Sequence, residues 1–248
     1  MPGMPVSSYC IFNWRMILAG VTTGLIASLL ILVWLVPAIG AALVPTVYGF
    51  QQIAPSIYAE NSLTGQQQTK LLHQIDQARM MVKTTFGDRT AAPLWLICQS
   101  QSCKQRLKGK TAKARVYGWH LVHVSPDGVS LTILAHELAH IELHKRLGPW
   151  RYWQEDFPAW LDEGIAILTS RDSRYLKIAY DQSLQCRSDL KNKVTIATPL
   201  PKTRRAWLKQ AGAKDQPLYA MAACKTLLIL GQRNQSVTDF LQTSLHSP

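Results

Sequence analysis

No charged residue occurs across residues 16–59, and no acidic residue occurs before Glu60. Soluble proteins carry about 25% charged residues; this chain has 17%, and its nearly uncharged N-terminal region accounts for part of the shortfall. That region is therefore suited to lipid rather than to water. The sequence also has no C-x2-C pair, which argues against a cysteine metal site. It has no internal repeat and no low-complexity tract. It has no nucleic-acid recognition motif to go with its net charge of +12. A membrane segment also argues against a nucleic-acid partner, so none is expected.

What is present starts with residues 16–36, MILAGVTTGLIASLLILVWLV. A helix of that length covers about 30 Å of hydrocarbon at about 1.5 Å per residue. Trp14 and Trp34 lie near its ends, where amphipathic rings favour the interface. Pro37 stops it. The small residues Ala38, Gly40, Ala41 and Ala42 resemble a signal-peptidase site. The apolar run, however, exceeds the roughly 7–15 residues of a signal-peptide core, so an uncleaved anchor is preferred. Arg15 flanks the N-terminal side, and no Lys or Arg follows until Lys70. The positive-inside rule then places the N-terminus in the cytoplasm and the domain outside, periplasmic or extracellular, in a single-pass protein. The expected organisation is a cytoplasmic tail (1–15), a transmembrane anchor (16–36), a juxtamembrane linker rich in Pro and polar residues (37–66) and one domain (67–248).

The exported part holds 26 of the 27 Lys and Arg residues against 15 Asp and Glu, a balance of +11. Lys104, Arg106, Lys108, Lys110, Lys113 and Arg115 form the densest run. Such a run is usually a solvated loop; its sharper reading is a patch for an anionic envelope component, lipid head groups or an acidic substrate. Cys10 precedes the anchor. The domain has four cysteines, an even number that suits two disulfides in an oxidising compartment. Cys98 and Cys103 enclose four residues and suit a tight clip, which leaves Cys186 and Cys224 as the second pair.

Periodicity places a helix over residues 69–85, with Gly87 at its end. Strands are expected at 94–98, 114–117 and 120–124. A long helix over 129–147 is closed by Gly148-Pro149. A second helix covers 158–169, and further helices cover 218–230 and 237–245. Residues 170–216 give no clear signal. Residues 120–124, just before the long helix, are the expected edge strand for an extended partner.

The long helix contains Ala135-His-Glu-Leu-Ala-His140, an H-E-x-x-H pattern. Residues four apart on a helix lie about 40° apart around its axis, so His136 and His140 can converge on one ion. Glu137 then stands beside the ion as a base for water, not as a ligand. A third ligand is needed. His144 lies about 12 Å along the axis from His136, too far for a shared ion. Glu142 points about 200° away from His140. A metzincin pattern would need Gly at 143 and His at 146, where this chain has Leu143 and Arg146. Glu163, early in the second helix, is the best candidate, and its neighbour Asp162 is a candidate partner for a ligating imidazole.

The pair AHELAH and WLDEGIA resembles the gluzincin zinc metallopeptidases, the group that includes thermolysin. The resemblance spans about residues 69–245 and is strong only at the two motifs. It implies an α+β, zincin-like fold, with a helix and small twisted sheet above the metal helix and a mostly helical C-terminal lobe. It implies that His136, His140 and Glu163 bind Zn2+ and that Glu137 is the general base in peptide hydrolysis by a metal-activated water. The 22 residues between His140 and Glu163 form a longer spacer than in the best-known members. The exopeptidase motif G-x-M-E-N is absent, and Tyr175, Tyr180 and Tyr219 all stay open for an oxyanion-stabilising role. Two other functions fit the same residues. One is an envelope-binding module with a structural zinc site or none, and the other is a zinc hydrolase of a non-peptide amide.

Overall fold

A computed structural model describes residues 14–88, 90–109, 111–181, 183–187, 194–195, 197–211 and 217–246. Its first element is helix α1, Trp14–Leu35, whose segment Ile17–Leu35 has a mean hydropathy of 2.3 and is long and apolar enough to cross a membrane. Helix α2 (Pro37–Leu43) follows at once, then strands β1 (Phe50–Ala54) and β2 (Ile57–Glu60) and helix α3 (Gly65–Phe86). The segment expected as a linker is therefore folded. Pro37 and Pro45 each open a helical turn, where a missing N–H costs nothing, and Pro55 lies in the turn between β1 and β2. The polar stretch read as linker is only the short connection before α3, where Thr64 and Gln67 form a capping box.

Strand β3 (Leu94–Ile97) leads through the short helix α4 (Gln101–Arg106) to β4 (Ala114–Tyr117) and β5 (Leu121–Val124). The sheet order is β1-β2-β3-β5-β4, with β2, β3 and β5 parallel and the two outer strands antiparallel to their neighbours. Alternate residues serve two layers. Ile57, Ala59, Trp95, Ile97, Val122 and Val124 face α3 and the helix that carries His136 and His140, whereas Phe50, Leu96, Cys98 and Leu121 pack with Ala38, Ala41, Cys103 and Leu107. Burial on both faces explains why these strands are continuous apolar runs. It also overturns the edge-strand expectation: β5 is fully buried and paired on both sides, and the edge on that side of the sheet is β4.

The central helix α5 (Leu131–Trp153) starts at Ser130, whose side chain accepts from the Ile133 N–H. Its geometry breaks at Gly148, with φ of 72°, so Pro149–Trp153 is a separate turn. Leu134, Leu138 and Ile141 are fully buried on one face, each contributing about 1.5–3 kcal/mol. Helices α6 (Ala159–Ser170), α7 (Arg204–Ala211), α8 (Leu218–Arg233) and α9 (Val237–His246) form the C-terminal part, with a hairpin of β6 (Leu176–Ile178) and β7 (Leu184–Cys186). Helices α5, α6 and α8 pack in succession. The architecture is thus mixed α/β, with a small mixed sheet, several helices and one apolar N-terminal helix.

Both expected cysteine pairs are at bonding distance. Cys98 and Cys103 close around α4, and Cys186 and Cys224 tie β7 to α8. The basic run does not form one solvated loop. Lys104 is buried and pairs with Asp127 at 2.8 Å, Arg106 donates to the Tyr48 carbonyl, and Lys108 donates to the Trp34 carbonyl at 2.7 Å at the end of α1. Lys110 lies outside the described residues. Only Lys113 and Arg115, at the start of β4, line a cleft.

Candidate metal centre

Helix α5 lies between the sheet and α6, and its two buried faces divide the work. The face at 134, 138 and 141 packs the core; the opposite face carries His136, His140 and His144 towards α6. Helix α6 answers with Asp162 and Glu163 in its first turns. Gly164 sets the approach of α6 to α8, because a Cβ there would stand 2.1 Å from Thr226 Oγ1 and 2.9 Å from the Ala222 carbonyl.

Three donor atoms converge. His136 Nε2 lies 3.1 Å from His140 Nε2 and 3.4 Å from Glu163 Oε2, and His140 Nε2 lies 3.7 Å from the same oxygen. Ligands bonded tetrahedrally at about 2.0–2.1 Å stand about 3.3–3.4 Å apart, so these separations outline three corners of such a site. Glu163 Oε2 is buried without a hydrogen-bond partner among the described residues, as is His136 Nδ1. An unpartnered buried carboxylate oxygen facing two imidazole nitrogens is costly unless a cation joins them. These side chains could hold a metal ion.

Asp162 connects His140 to the next turn of α5. His140 Nδ1 donates to Asp162 Oδ1 at 2.5 Å, which leaves Nε2 as the free nitrogen aimed at the centre. The other carboxylate oxygen accepts from His144 Nε2 at 2.9 Å, and His144 Nδ1 donates to the Gly118 carbonyl at 3.1 Å. A second possible metal group, His140, His144 and Asp162, is thus accounted for by hydrogen bonds. His144 is a residue whose role the sequence did not reveal. Its signal was the repeat of His at 136, 140 and 144 on one face, and the missing part was the carboxylate that Asp162 brings from another helix.

Electrostatics follow from the burial. Desolvation pushes the Glu137 carboxyl above its ordinary range, the direction wanted in a group that both takes and returns a proton. Burial also opposes ionisation of Glu163, but the neighbouring His136 and His140 imidazoles outweigh it and hold Glu163 at about 2. Asp162 is likewise depressed, because His140 and His144 overcome its desolvation. Desolvation alone would lower His140, yet the Asp162 charge and hydrogen bond raise it well above 6.5.

The centre opens into a cleft of about 1160 Å³ bounded by residues 111–118 of the edge strand, the turn after Gly148, and residues from α6, α7 and α8. Tyr175 and Tyr219 line it with their rings stacked 5.5 Å apart, and burial raises both hydroxyls, helped at Tyr219 by the nearby Glu163 charge. Tyr180 is fully exposed and does not line the cleft. Glu142 faces away from the centre, as its helical angle requires. It is wholly buried and accepts from Thr90, Ala91 and Arg146.

Comparison of the chain with protein-family models, with curated proteins and with solved structures finds no match in any of the three.

Proposed function

We propose that this protein is a membrane-anchored zinc metallopeptidase of the gluzincin type, with its cleft on the extracytoplasmic side. One observation carries the reading: three buried donor atoms at 3.1, 3.4 and 3.7 Å, two of them four residues apart on one helix and the third an otherwise unpartnered carboxylate oxygen. Nitrogen and carboxylate donors at tetrahedral spacing suit zinc. Two disulfides in the domain favour an oxidising compartment.

His136, His140 and Glu163 would hold the ion, which when bound supplies Lewis acidity towards a water and a scissile carbonyl. Glu137 takes the proton of the attacking water and returns it to the leaving amine. Asp162 holds the His140 ring in the tautomer that leaves Nε2 free. The free edge of β4 offers backbone N–H and C=O groups to an extended peptide laid along the cleft.

The test is metal content and hydrolysis on the same full-length protein in detergent. Wild type is expected to hold about one zinc per chain and to cleave members of a peptide library, with Glu163→Ala losing the metal. Glu137→Gln is expected to keep zinc and lose about 10²–10⁴-fold in rate, the usual share of general acid–base catalysis. Zinc bound with no peptide cleaved would replace hydrolysis with a binding role. Equal cleavage by wild type and Glu137→Gln would remove Glu137 from the mechanism.

A further inference from the structure

The proposed centre accounts for most of the acidic side chains in its own cleft. Glu137, Asp162 and Glu163 belong to it, and Glu155 is the one other carboxylate on the walls among the described residues. The opposing inventory is large. Lys113 and Arg115 come from the edge strand, and Lys202 and Arg204 from the segment leading into α7. All four are exposed, and none forms an ion pair with a described residue. Of the two other arginines on the wall, Arg174 is matched by a bidentate contact to the buried Asp172 and adds no net charge, and Arg151 donates to the Ser244 carbonyl.

Charge balance then favours anions. Glu137 and Glu163 together offset a divalent cation, and Asp162 is tied to two imidazoles. With neutral imidazoles the loaded centre keeps the Asp162 charge, so four exposed cations face two carboxylates, Asp162 and Glu155. Lys202 and Arg204 are held in place: the Lys202 carbonyl accepts from Ala159 at the start of α6, and Arg204 donates to Tyr152, whose ring packs on His144. The Lys202 backbone is therefore held at the start of α6, and the Arg204 guanidinium beside the turn after Gly148. A concave surface of one sign with low-dielectric walls concentrates ligands of the other sign.

We infer that the cleft selects acidic polypeptide segments, with Asp or Glu flanking the bond to be cut and Lys202 and Arg204 as specificity-determining residues. This inference rests on the peptidase reading and extends it to a substrate class. Exposed Trp153 and Leu208 stand on the same walls, so an apolar residue beside the acidic ones would add affinity.

The experiment uses the zinc-loaded full chain in detergent and three peptide sets of matched length with acidic, neutral or basic flanks. Acidic flanks are expected to raise kcat/KM by roughly 10–100-fold at low salt, within the range electrostatic focusing reaches. The advantage should shrink as ionic strength rises and the Debye length falls from about 30 Å at 0.01 M towards about 8 Å at 0.15 M. The Lys202→Glu/Arg204→Glu double variant should invert the preference towards basic flanks, with melting temperature and zinc content confirming that it is folded. Cleavage that ignores flank charge, or favours basic flanks in wild type, would overturn the inference and leave the peptidase reading intact. A binding arm with zinc-loaded Glu137→Gln separates the other failures. Acidic peptide bound by this variant but cut by no form of the protein supports the anion-selecting cleft and overturns hydrolysis. Anionic vesicles bound in competition with zinc-site inhibitors, with acidic peptides ignored, would overturn the peptide class.

Discussion

Asp162 offers the sharpest test of how the centre is built, because it touches two imidazoles and need not touch the ion. Its two carboxylate oxygens each accept one N–H, from His140 at 2.5 Å and from His144 at 2.9 Å. In Asp162→Asn the amide oxygen can keep the bond to His140. The amide NH2 then faces His144 Nε2, which can accept if that ring retains only its Nδ1 proton for the Gly118 carbonyl. Geometry survives and the negative charge is lost. In Asp162→Ala both bonds go and the His140 ring is free to turn. Losing such an outer partner typically weakens metal binding by about 10–100-fold. The Asn variant is placed at the lower end, about 1.4 kcal/mol, and the Ala variant at the upper, about 2.7 kcal/mol. Zinc affinity measured near neutral pH by competition with a chelator of known affinity decides it. Glu163→Ala serves as the reference for outright loss of a ligand. Ala binding zinc as tightly as wild type, or Asn binding more weakly than Ala, would refute the idea that Asp162 orients and polarises His140.

Three further outcomes follow from the same geometry. Glu142→Ala removes the buried acceptor shared by Arg146 Nε and the N–H groups of Thr90 and Ala91, a loss of about 3–5 kcal/mol; tryptophan-detected melting should fall by roughly 6–20 °C at about 2–4 °C per kcal/mol, and an unchanged melt would contradict it. Gly164→Ala drives a Cβ into Thr226 and the Ala222 carbonyl, at a cost of about 1–3 kcal/mol, and it should also weaken zinc binding by shifting Glu163; Thr226→Ala should recover part of both. The third outcome concerns pH and the metal-free protein. Glu163 is depressed from 4.5 to about 2, so its contribution is present above 4.5 and is lost as pH falls towards about 2. His140 is raised, so its contribution is complete below 6.5 and is lost as pH climbs through its folded value. Zinc needs the neutral imidazole, so its stabilisation grows in that same upper range. Melting temperature of the metal-free protein should therefore fall above pH 6.5 while that of the zinc-loaded protein does not; a rise in the metal-free protein there would contradict the assignment.

The parts of the structure legible in the sequence are those governed by local geometry. His136, Glu137 and His140 share a helix, and backbone bonds four residues apart are enough to bring their side chains to one side. The break at Gly148, the end of α3 at Gly87 and the apolar length of α1 are local in the same sense. The first cysteine pair is close in sequence, and the second follows once the first is taken. Glu163 was reachable because a short excursion between packed helices returns the chain to the same level.

Tertiary structure alone decided the rest. Residues 50–60 look like a linker because each strand is short and broken by Pro55 and a turn; they are strands because β2 finds β3 across the intervening helix α3, a pairing no local pattern encodes. The edge role belongs to β4 rather than β5 for a similar reason: strand order depends on which neighbours are already taken. The basic run looks uniform from Lys104 to Arg115, but folding buries Lys104 against Asp127, turns Arg106 and Lys108 onto carbonyls, and leaves Lys113 and Arg115 at the cleft. His144 and Asp162 are 18 residues apart and on different helices. Sequence determined the chemistry of the candidate ligand atoms, because helical periodicity acts over a few residues; the partners that orient those atoms and the charge of the walls around them were settled only by packing, because they arise from contacts between distant segments.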